Sequence, residues 1–88
     1  MIKFKIYPDI IYKIFEDEVH VLDYKTANIY TLNETASFIW KQLLKVATKK
    51  ELVEKMKKEF DVSEKIIKKD IEEFLNEYLE KEFIIKVS

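Results

Sequence analysis

One histidine, no cysteine and no glycine leave little with which to build a catalytic centre in these 88 residues. His20 sits in a run of strand-forming residues, where it reads as a strand-face side chain rather than as a base or ligand. A metal centre needs several convergent His, Cys or carboxylate ligands. Here only carboxylate oxygens remain, and no segment resembles a calcium loop. Without glycine there is no phosphate-cradling loop and no dinucleotide fingerprint. Ser37 and Ser63 become nucleophiles only beside a base, and Ser63 is more simply a helix cap. The pairs Glu72-Glu73 and Glu80/Glu82 fall on an exposed helix face rather than in a cleft. We therefore expect no enzyme activity, no metal and no cofactor, and look for function in binding.

The elements that must present a binding surface are legible in order. Pro8-Asp9 punctuates a short N-terminal arm over residues 1–9. Ile10 to Phe15, Val19 to Tyr24 and Asn28 to Leu32 are rich in β-branched and aromatic residues and read as three strands. Their connections, Glu16-Asp17-Glu18 and Lys25-Thr26-Ala27, are short and polar, so the strands form an antiparallel meander over residues 10–32. Because neither turn contains glycine, looser loops are expected and the tight primed types are not. Three helices follow over residues 33–83. Asn33 caps the first, which runs from Glu34 to about Val46 with Ala36, Ile39, Trp40, Leu43 and Leu44 as its buried stripe. Thr48-Lys49-Lys50-Glu51 is a capping box for the second, with Leu52, Val53, Met56 and Phe60 at helical spacing. Ser63 caps the third, in which Ile67, Ile71, Phe74, Leu75, Tyr78 and Leu79 span an arc of about 140°. Ile66, Asp70, Glu73 and Glu77 lie just outside that arc, and an apolar tail over residues 84–88 is expected to dock. The fold class is α+β, winged helix-turn-helix-like, in a single domain over residues 1–88.

Composition narrows the partners. An apolar fraction of 48% excludes a disordered chain despite 38% charged residues. Neither a signal-peptide core nor an apolar run long enough to span a membrane is present, which predicts a soluble cytoplasmic protein with no membrane partner. The net charge is −1, but lysines dominate residues 41–58 and acids dominate residues 63–83. A winged helix that reads DNA needs cations on its recognition helix. Here the third helix is acidic and the chain has no arginine, so a nucleic-acid partner is not expected.

Three segments together carry a family resemblance. Leu32-Asn33-Glu34-Thr35-Ala36 with Ile39-Trp40, then Thr48-Lys49-Lys50-Glu51-Leu52, then Asp70-Ile71-Glu72-Glu73-Phe74-Leu75 resemble, in order and in register over residues 10–85, the PQQ-biosynthesis protein D family. Its members are precursor-peptide recognition elements of ribosomal peptide natural-product pathways. Two departures stand out. Lys45-Val46-Ala47 replaces the usual Asp-Gly after the first helix, and Glu82 replaces a glycine after the last, so that helix is expected to end differently or run on.

The resemblance implies a stand-alone, non-catalytic adaptor. It would bind the leader segment of a precursor peptide as an added strand in the groove between the third strand and third helix, and present it to a radical-SAM enzyme or a leader protease. On that implication the backbone of Asn28, Ile29, Tyr30, Thr31 and Leu32 pairs with the leader. Ile67 and Phe74 form an apolar wall, each being equally an ordinary core position. Ile66 lies beside them, and Asp70 and Glu77 are rim acceptors. The alternatives are a generic interaction domain that dimerises through its exposed strand and tail, or a winged-helix DNA-binding protein.

Overall fold

Two antiparallel sheets, not one, frame the three helices. The computed structural model describes all residues, Met1–Ser88. The strands are β1 (Lys3–Ile6), β2 (Ile11–Phe15), β3 (Glu18–Asp23), β4 (Asn28–Thr31), β5 (Ala47–Thr48) and β6 (Ile84–Val87). The helices are α1 (Glu34–Gln42), α2 (Lys49–Glu59) and α3 (Glu64–Glu80). The fold is α+β, with the meander followed by three helices. The meander has the order β2-β3-β4, registered as Ile11 opposite Leu22 and Leu22 opposite Ile29. The second sheet has the order β5-β1-β6.

That second sheet revises the reading of both ends of the chain. Residues 1–9, expected as an arm, contain the central strand β1, which pairs Lys3 with Val87 and Ile6 with Ile84. The tail docks as expected, and does so as β6. Phe4 and Ile84 are buried by this pairing. Lys3-Phe4-Lys5-Ile6 alternates for too few residues to announce a strand, and its partner lies at the far end of the sequence.

The turn between β2 and β3 overturns the expectation of loose loops. Phe15 pairs with Glu18 across a two-residue connection in which Glu16 and Asp17 have φ of 50° and 68°. Positive φ at both central residues is a tight primed turn formed without glycine. Five paired positions on either side hold it there, and aspartate tolerates the left-handed region better than most residues. The next connection is looser: Asp23 and Asn28 pair across four residues, Asp23 Oδ1 accepts from the Lys25 N–H, and Ala27 takes φ 62°.

All three helices begin as their sequences dictate. Asn33 Oδ1 accepts from Ala36 N–H at 2.8 Å, Thr48 and Glu51 form the reciprocal box, and Ser63 Oγ accepts from Ile66 N–H at 3.3 Å. Their ends differ from expectation. α1 stops at Gln42 rather than near Val46, and Leu44 is exposed. The chain must leave the helix there for Ala47 and Thr48 to pair with Phe4 and Lys3. α3 ends in a left-handed cap despite lacking glycine. Glu82 has φ 63°, its N–H donates to the Leu79 carbonyl, and Phe83 N–H donates to the Tyr78 carbonyl. These are the two bonds of a Schellman motif, and the usual apolar contact accompanies them, with Phe83 stacked on Tyr78.

Nineteen buried apolar residues form one core, centred on Trp40, Leu32, Ile39, Ile71, Leu75 and Phe83. Fully burying such side chains contributes about 1.5–3 kcal/mol each. This core fixes α3 and β4 relative to one another.

Candidate functional site

β4 is an edge strand. Its only partner is β3, and its other side faces solvent beside α3. Leu32 N–H donates to the Val19 carbonyl at 2.9 Å. Because paired and unpaired positions alternate in an antiparallel ladder, Tyr30 and Asn28 also turn their backbone toward β3. Ile29 and Thr31 therefore present N–H and C=O to the open side. Ser37, which is buried, secures the end of this ladder. Its hydroxyl accepts from Val19 N–H and donates to the Leu32 carbonyl, both at 3.1 Å. Two backbone groups left over where β4 turns into α1 are thus satisfied.

A cleft of about 320 Å³ opens between this edge and α3. Thr31, Leu32, Asn33, Thr35, Ala36 and Ile39 line one side; Asp70, Glu73, Phe74, Glu77 and Tyr78 line the other. Of the residues expected to form a groove, the structure brings together Thr31, Leu32, Asp70, Phe74 and Glu77. Ile67 does not reach the cleft: it is 0% exposed and belongs to the core. Ile66 is half-exposed and lies outside the lining. Tyr30 turns inward, its ring edge-on to Phe83 and under the Lys81 ammonium, while Asn28 and Ile29 are exposed farther along the strand. Glu73 was not among the expected contacts, yet it shares one helix stripe with Asp70 and Glu77 through i, i+3 and i+7 spacing. That spacing was readable from the sequence. Asn33, Thr35, Ala36 and Ile39 also line the cleft and carried no signal beyond cap and core.

Electrostatically the cleft face of α3 is acidic. Glu64 is paired with Lys57 and Lys68, and Glu72 with Lys49. Asp70, Glu73 and Glu77 make no ion pair. Tyr78, beneath them, has its phenol pushed up to about 12, first by burial and then by the neighbouring Glu77 carboxylate and Tyr30. His20, opposite Thr31, lies on the other face of the sheet, with Nδ1 3.1 Å from Thr31 Oγ1 and Nε2 3.2 Å from Glu18 Oε1. No group of three or more His, Cys or acidic side chains is placed to hold a metal ion, and no helix is long and apolar enough to cross a membrane. The arrangement offers backbone donors and acceptors in line, an apolar floor and an acidic rim.

Comparison with known proteins follows the same lines. Residues 18–84 match the family described as coenzyme PQQ synthesis protein D. The chain is similar to the solved structure of TbiB1 in complex with the TbiA(beta) leader peptide, at 27% identity and a TM-score of 0.79, over 91% of this chain and 93% of that one. It shares its fold with lasso peptide synthetase B1, solved in complex with its leader peptide, at 21% identity and a TM-score of 0.78, over 93% of this chain and 96% of that one. No curated protein sequence matches.

Proposed function

The chain belongs to the coenzyme PQQ synthesis protein D family, and on that premise we propose that it is a non-catalytic adaptor in ribosomal peptide natural-product biosynthesis. It binds the leader segment of a precursor peptide as a strand added to β4, and presents the rest of the peptide to a radical-SAM enzyme or a leader protease in the cytoplasm. The observation that carries this reading is the unpaired outer side of β4. The chain's own tail pairs with β1 instead, so the edge beside α3 stays open. TbiB1, which shares the fold, is solved with a leader peptide.

The energetics set what the leader must supply. Ile29 and Thr31 offer two outward donors and two outward acceptors, and each backbone bond contributes about 0.5–1.5 kcal/mol net. Micromolar binding requires about −8 kcal/mol, after the cost of ordering a flexible segment. Leader side chains seated in the cleft and across the exposed Ile29 must supply the difference. Amide-shift mapping with the leader of the precursor encoded beside this gene should perturb Asn28–Leu32 and the Asp70–Glu77 face of α3. Thr31→Pro should abolish binding by removing an outward donor, with helix content unchanged. Normal binding by that variant would exclude strand addition.

A second reading rests on β2. Its outer edge is also unpaired, and all five of its residues are exposed. Open edges invite self-pairing. Self-association through β2 would appear as a mass that rises with concentration in light scattering and persists in Thr31→Pro.

A further inference from the structure

Two chemically opposite surfaces flank the open side of β4. Toward α3, the cleft presents Asp70, Glu73 and Glu77, none of them in an ion pair, above a floor that includes Leu32, Ala36 and Phe74. On the opposite face of the meander, Ile11, Phe15 and Ile29 are 61%, 62% and 69% exposed. Together with Tyr12 and Leu22, and with Lys13 and His20 among them, they line a shallow, mainly apolar concavity of about 610 Å³. A contiguous apolar patch on the solvent face of a sheet marks a surface that something covers. The two surfaces meet only at β4, whose side chains alternate between them.

An added strand meets both at once, because successive side chains point to opposite faces. Granted the strand-addition reading, we infer that the peptide completing β4 is amphipathic with a period of two. It carries lysine or arginine on the side of α3 and apolar residues on the side of Ile29. A long basic side chain lays its methylene stem over Phe74 and Ala36 and carries its charge to the rim carboxylates. The need for a cation is physical. Asp70 is already half-buried, and a peptide laid across the cleft strips more water from its carboxylate, which is penalised unless the charge is paired. An acidic residue at the same position meets three carboxylates that make no ion pair. On the other face, β-branched or aromatic residues beside Ile29 extend the apolar surface across Leu22 by cross-strand contact.

The test is a selection of displayed random dodecapeptides on the wild-type protein, keeping those that lose binding to Thr31→Pro. The expected consensus alternates basic and apolar residues. The triple variant Asp70→Asn/Glu73→Gln/Glu77→Gln should bind a synthetic consensus peptide about tenfold more weakly at low ionic strength, with its salt dependence flattened. Ile29→Ser should relax the apolar preference alone. Glu64→Gln/Glu72→Gln, which removes two acidic charges of α3 away from the cleft, should bind as wild type does. Edge-dependent peptides with no basic enrichment, or equal weakening by the control variant, would overturn the inference and leave strand addition standing. No peptide sensitive to Thr31→Pro would overturn both.

Discussion

Glu16, Asp17, Ala27 and Glu82 hold φ of 50°, 68°, 62° and 63° in a chain that has no glycine. An L-residue pays about 1–2 kcal/mol for the left-handed region, because its Cβ crowds the following carbonyl. Ala27 is the cleanest of the four, being exposed in a turn with no side-chain function to lose. Ala27→Gly should raise stability by about 1 kcal/mol, read as an upward shift of the urea midpoint with unchanged slope. The neighbouring change Thr26→Gly should lower it. Glu51 gives a second residue-level expectation. Its carboxylate accepts from the Thr48 backbone N–H at 2.8 Å. That bond, and next the Thr48 side chain, hold its pKa below the ordinary 4.5. A depressed carboxylate stabilises the fold fully above its unfolded value and loses that contribution as pH falls through its lower folded value. Stability should therefore decline on acidification below pH 4.5, and Glu51→Gln should show a flatter acid limb in pH-dependent denaturation. The capping role of Thr48 and Glu51 was readable because cap chemistry is local. The left-handed positions were not, since residue type alone disfavours what strand pairing and the α3 cap enforce.

At the scale of elements, β1 is the piece on which the second sheet depends. It lies between β5 and β6, so its loss leaves both without a ladder and exposes Phe4's place in the core. Deleting residues 1–6 should lower stability by at least about 3 kcal/mol in urea denaturation, through a lost core aromatic and lost ladder bonds. A flexible arm would leave stability unchanged. The helices were legible because three caps and a repeated apolar spacing all sit within a few residues of each other. β1 with β6, and the early end of α1, depend on contacts between opposite ends of the chain, which no local period records. The site divides in the same way. The acidic stripe and the β4 run were visible as spacing, whereas the enclosure of Ile67 was not. A helical period tells which side faces inward, but not which neighbours overlie its margin.

Across the whole molecule, an aromatic chain joins the parts that set the cleft's width. Tyr12 lies edge-on to Trp40 at 5.5 Å and Trp40 edge-on to Tyr78 at 6.4 Å. Tyr78 then meets Phe74 at 4.5 Å and Phe83 at 5.6 Å, and Phe83 returns to Tyr30 at 5.8 Å. The path runs from β2 through α1 and α3 to the start of β6, and back to β4. Tyr78 is its hub, and its buried phenol is pushed from 10.0 up to about 12. A phenol whose folded pKa is raised contributes fully below its unfolded value and loses that contribution as pH climbs toward the folded one. The fold should therefore weaken between pH 10 and pH 12. Absorbance titration of wild type against Tyr78→Phe should isolate one late-ionising tyrosine, and the variant should lose less of its stability over that interval. A midpoint near 10 for that tyrosine would mean that water reaches Tyr78, and that α3 is not held against β4 as described. Because Phe74 touches Tyr78 and both line the cleft, a peptide seated there should shift this ionisation: added burial delays it, whereas a cation on the α3 side draws it back. The alkaline titration thereby reads the core and the binding groove through one side chain.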